Sequence, residues 1–123
     1  MRPDLSIEAR LLLVFLAAAL GGCADTCENE GVQATSSPSG LKQAVVFVRD
    51  CGETVGISTQ VSIVAGGVNV IGAGNALVVE GRPSIQVRWL TDSAVSLSGL
   101  GPGRVFKQES EVYGTSIRYD PAR

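Results

Sequence analysis

Apolar and polar residues along this chain alternate in short runs separated by turn residues. Ser58 to Val64 sets Thr59, Val61 and Ile63 against Ser58, Gln60 and Ser62, which predicts a strand with its first set inward. Ser84 to Leu90 repeats the arrangement, with Ile85, Val87 and Trp89 inward and Gln86 and Arg88 outward. Ser93 to Ser98 aligns Val95 with Leu97, and Val105-Phe106 marks a further candidate. In the last run Tyr113, Thr115, Ile117 and Tyr119 share the inward side, so Trp89, Tyr113 and Tyr119 read as core residues. Lys42 to Asp50 differs, with Val45 and Phe47 on one side and Ala44, Val46 and Val48 on the other. Apolar residues on both faces predict a central strand that is covered twice.

Breakers recur between these runs at Cys51-Gly52, Gly66-Gly67, Gly72 to Asn75, Gly81-Arg82-Pro83, Thr91-Asp92 and Gly99 to Gly103. Short strands with turn signals predict an all-β fold after an N-terminal signal helix. The expected form is a small antiparallel sandwich or meander, with a blade-like sheet or small barrel as alternatives. Ala65 to Asn75 reads as a flexible loop or hairpin tip carrying Val68, Val70 and Ile71, three aliphatics suited to a partner contact. Its Gly72-Ala73-Gly74 is no nucleotide fingerprint, because it lacks the third glycine, a following Lys-Ser/Thr and a helix to open. Ser37-Pro38-Ser39-Gly40 before KQAVVF and Trp89-Leu90-Thr91-Asp92 before SAVSL resemble the turn-then-strand unit of propeller blades related to periplasmic TolB. A chain of this size cannot close a propeller.

The first segment breaks the pattern. Leu11 to Leu20 is uninterrupted apolar sequence, preceded by Arg2 and Arg10. A bilayer span takes roughly 20 apolar residues, so this run suits the core of a secretory signal instead. Leu20-Gly21-Gly22-Cys23 resembles the lipobox of bacterial lipoproteins. The resemblance implies diacylglycerol transfer to the Cys23 thiol, cleavage before Cys23 and acylation of the new amino terminus. Ala24 resembles the residue of lipoproteins sorted to the periplasmic face of the outer membrane, where the host has two membranes. The expected organisation is a signal peptide over 1–22, a lipidated tether over 23–36 and a single β domain over 37–123.

Composition narrows the chemistry. The 123 residues include no histidine, which excludes Ser-His-Asp and Cys-His catalysis and His-ligated zinc. Ten Lys/Arg against twelve Asp/Glu give a formal charge of −2, so there is no basic footprint for nucleic acid. Of the three cysteines, lipidation of Cys23 leaves Cys27 and Cys51, an even remainder that predicts a disulfide in an oxidising compartment. The bond closes a loop of about 25 residues, which chain entropy values at about 3–4 kcal/mol.

Arg49, Asp50 and Glu53 form the densest polar cluster, at the end of a buried strand where sites often lie. Two carboxylates so close suggest acid/base work or a hard cation, but the spacing matches no calcium loop and nothing predicts the burial that raises a carboxyl pKa. No catalytic residue, metal ligand or cofactor is assigned. Ser37-Pro38-Ser39-Gly40, Lys42, Ala44 to Phe47, Arg49 to Gly52, Thr54 and Ser58 to Ile63 are similar to a small family of uncharacterised bacterial exported proteins. The likeness extends to Trp89 and Ile117-Arg118-Tyr119, whereas Glu53, Val55 and the Gly-rich loop depart from it. That family implies domain identity and no activity. The expected function is a non-enzymatic binding, adaptor or structural module on the envelope, held to its membrane by lipid and meeting an envelope protein partner. A carboxylate-dependent hydrolase or sugar-active enzyme, and an inhibitor or immunity-type protein, are the alternatives.

Overall fold

The computed structural model describes residues 27–121, and the lipobox with Cys23 lies outside them. The described residues form nine strands: β1 Glu28–Ser36, β2 Lys42–Asp50, β3 Ile57–Ala65, β4 Leu77–Glu80, β5 Gln86–Thr91, β6 Ala94–Ser98, β7 Val105–Gln108, β8 Glu111–Val112 and β9 Thr115–Asp120. They build a five-stranded sheet, ordered β1-β2-β3-β4-β7, and a four-stranded sheet, ordered β5-β6-β9-β8. The fold is all-β with two mostly antiparallel sheets; neither closes into a barrel.

Alternation decides which residues meet between the sheets. The first sheet contributes Ala44, Val61, Ile63, Leu77 and Val79; the second contributes Ile85, Val95, Leu97 and Ile117. Register stacks Trp89, Val95 and Ile117 in one row across the second sheet and Val87, Leu97 and Tyr119 in the next. The inward positions expected for β3, β5 and β6 are therefore those observed, and Thr59 among them is buried with its hydroxyl on Gly81 O at 2.8 Å. Trp89 keeps its indole N–H satisfied by donating to Thr35 O at 2.8 Å.

One pairing departs from the antiparallel rule: β6 and β9 run parallel. Parallel neighbours need a crossover of about a dozen residues or more. Here the chain leaves β6, enters the first sheet as β7 and returns through β8. The turn before β9 explains a correction to the sequence reading. Tyr113 and Gly114 both have positive φ, 52° and 62°, so Tyr113 forms a hairpin corner and is exposed rather than in the core. Its ring instead lies 5.9 Å from Lys42 Nζ.

A second correction concerns the expected tether. Glu28 to Ser36 is not a linker but strand β1, paired with β2 from Glu28↔Asp50 to Ser36↔Gln43 around a β-bulge. Its side chains are nearly all exposed, so burial by hydrophobic pattern gave no strand signal. The Cys27–Cys51 disulfide is present and extends this register by one step, fastening the open end of β1 to β2.

Candidate functional site

The outer face of the first sheet holds the residues singled out from sequence. Arg49, Phe47, Val45 and Gln43 alternate outward on β2, opposite Ser58, Gln60, Ser62 and Val64 of β3. Left bare, that face would expose Phe47; instead Phe47 is 1% and Val45 2% accessible. The cover is the segment from Gly66 to Asn75, which crosses the face and is not a free hairpin tip. Gln60 and Ser62, read from alternation as solvent-facing, are buried beneath it.

Side-chain amides hold that segment in place. Gln43 Nε2 donates to Val68 O at 2.7 Å, and Asn29 Nδ2 donates to Gly72 O at 3.0 Å and Val70 O at 3.3 Å. Gly74 N donates to Gln60 Oε1 at 2.7 Å, and Asn75 N to Ser62 Oγ at 3.2 Å. Asn75 then acts as a surrogate strand residue. Its side chain accepts from Ile63 N at 2.8 Å and donates to Ile63 O at 2.9 Å, continuing the ladder past the end of β4. Gly74 permits this approach, since a Cβ there would lie 2.9 Å from Val61 O.

The three aliphatics of the segment are thereby separated. Val70 is partly buried, Val68 stands half in solvent beside Val32, and Ile71 is 88% exposed between the two carbonyls that Asn29 grips. These carbonyl anchors were missed in the sequence, although clustered amide side chains flanking a glycine-rich run were the available signal.

The Arg49, Asp50 and Glu53 cluster does not assemble. Arg49 is buried on the outer face and donates to Asn29 Oδ1 at 2.7 Å. Asp50, one residue on, faces the other way and accepts from Gly52 N at 2.9 Å, while Glu53 projects from the exposed turn. Arg49 and Asp50 belong to the disulfide-closed strand end rather than to a shared pocket. Among the described residues no group of three or more Cys, Asp or Glu could hold a metal ion.

The outer face of the second sheet is open. Central strand β6 presents only Ala94, Ser96 and Ser98 outward, flanked by Arg88 and Leu90 of β5 and by Arg118 and Asp120 of β9. Small residues between long ones make a trough, with a cavity of about 430 Å³. Sequence reading placed Arg88 outward but did not join it to Arg118, because that pairing depends on the parallel contact of β6 and β9. Comparison with family models, curated proteins and solved structures found no match to this chain.

Proposed function

We propose that the protein is an envelope lipoprotein, anchored through Cys23, whose β domain is a non-enzymatic binding module at the membrane surface. The observation that carries the binding role is the Gly66–Asn75 segment: main-chain carbonyls held by buried or partly buried amides, with Ile71 and Val68 left in solvent. A loop already fixed in one shape loses little entropy when a partner covers it. The segment also lies toward the tethered end. Cys27 is four residues past Cys23, a reach of about 14 Å at most, and Asn29, two residues further, grips both neighbours of Ile71. An inhibitor or immunity role is the same contact made on an envelope enzyme.

A photo-crosslinking residue at Ile71, introduced in the full chain and activated in cells, is expected to trap one discrete protein. The double change V68D/I71D alongside a probe at Val32 should abolish that adduct while the protein still folds. Equal trapping from a control probe at Leu90, which is exposed on the other sheet, would overturn the binding role. Cys23→Ser is expected to release the protein from the membrane fraction; retention would overturn the anchor.

A further inference from the structure

Outward residues of the second sheet lie in register rows, and one row is Arg88–Ser96–Arg118. Its two arginines sit two strand spacings apart, about 10 Å between Cα atoms at roughly 4.8 Å per strand. Both point to the same face as Ser96, which separates them. Neither makes a hydrogen bond or ion pair with another described residue. Of the other described cations, Arg49 bonds Asn29, Lys42 bonds Gly114 O and Thr115, Lys107 bonds Gly74 O and Arg104 lies over the Phe106 ring, while Arg82 projects alone from an exposed turn. Unlike Arg82, Arg88 and Arg118 face each other across a shallow serine floor, where a single anion can meet both.

We propose that this trough binds a phosphate group, with Arg88 and Arg118 donating from opposite walls and the Ser96 hydroxyl from the floor. A planar guanidinium gives two parallel N–H bonds to an oxyanion, and a tetrahedral group has enough oxygens to accept from both arginines at once. A planar carboxylate keeps its acceptor sites in one plane, whereas the tetrahedral group turns oxygens toward both walls of the trough. Asp120 lies one row along, opposite Ser98, and Glu111 lies at the β8 edge opposite Ser116. These carboxylates confine the anion to the arginine row and weaken its binding. Leu90, on the β5 wall, offers an apolar contact for whatever carries the phosphate. This inference concerns the opposite layer from the Ile71 loop and stands independently of it.

The test is titration of the full-length protein in detergent at low ionic strength, followed by NMR of the arginine Nε–H signals. One arm uses inorganic phosphate; the other uses glycerophosphoglycerol, the deacylated headgroup of an anionic phospholipid. Selective shifts of Arg88 and Arg118 are expected in at least one arm, and the tighter arm identifies free phosphate or a phosphodiester headgroup as the source. Arg88→Ala and Arg118→Ala should each weaken binding about tenfold, as loss of a charge-assisted pair implies. Asp120→Asn should tighten it, and Arg104→Ala should leave it unchanged. Thermal melts of these exposed variants check that the fold persists. Absence of shifts in both arms, or weakening by Arg104→Ala equal to that by Arg88→Ala, would overturn the proposal.

Discussion

Both sheets have an outer face, and only one is covered. On the first sheet Gln60 and Ser62 alternate outward from β3 and are buried under the chain's own backbone. On the second sheet Ser96 and Ser98 alternate outward from β6 and line an open trough. A polar residue at an outward position is thus compatible with two opposite fates. What separates them is the neighbouring strand: beside Gln60 stands Phe47, which needs cover, whereas beside Ser96 stand Arg88 and Arg118, which water or an anion satisfies. The covered face holds the Gly-rich segment by hydrogen bonds, and the open one leaves its polar side chains in solvent.

The comparison predicts unequal sensitivity to substitution, and the largest effect belongs under the loop. Phe47→Ala should cost about 3–5 kcal/mol of unfolding free energy, as expected for emptying a packed aromatic site. Arg88→Ala on the open face should stay within about 0.5 kcal/mol. Chemical denaturation of the two variants measures the contrast; comparable losses would mean that Phe47 does not depend on the loop.

Next comes the disulfide, which fastens the strand carrying Asn29. The pair is separated by 24 residues, and replacing both cysteines with serine should cost about 3–4 kcal/mol by the loop-entropy argument. Hydrogen exchange should rise first at β1 and at Val68 to Gly72, because both lean on the same strand end. Uniform acceleration across both sheets would show that the bond acts globally instead.

The inner rows of both sheets were legible in the sequence because burial there follows a period of two: Val61 with Ile63, Val87 with Trp89, Val95 with Leu97. The double-faced apolar run of β2 correctly signalled two covers. It did not say that the second cover is the Gly-rich segment, since Gln43, Gln60 and Asn75 look alike whether water or backbone satisfies them. Strand β4, four residues long, and β8, two residues long, lacked enough alternation to register. Of the suggested site residues, Val68 and Ile71 are exposed together on one segment, while Arg49 and Glu53 part company across a strand end.

Asn75 sharpens the comparison one step further. Asn75→Ala removes both side-chain bonds to Ile63 and leaves a strand N–H and C=O without partners, a loss of about 1–2 kcal/mol. Ser96→Ala, an equally outward and polar site, should change stability by no more than about 0.5 kcal/mol. Thermal melting resolves the two, and matching shifts would erase the distinction between covered and open polar positions.

The smallest effect is a pH dependence at the seam of the second sheet. Tyr119 is half-buried beside Leu97, and its hydroxyl donates to Glu109 O at 2.7 Å. Burial, with a smaller contribution from the nearby Glu109 charge, pushes its pKa up from the usual 10.0 to about 12. The folded chain therefore holds this proton more tightly than the unfolded chain. The stabilisation is fully present below pH 10 and is lost as pH rises through the interval from 10 to about 12. Tyr119→Phe should remove that alkaline limb and, through loss of one hydrogen bond, lower stability at neutral pH by about 1 kcal/mol. The signature is a difference that narrows with pH: relative to wild type, the phenylalanine variant is weaker at pH 7 and loses less on approaching pH 12. Parallel stability curves for the two proteins would place the tyrosine hydroxyl in water.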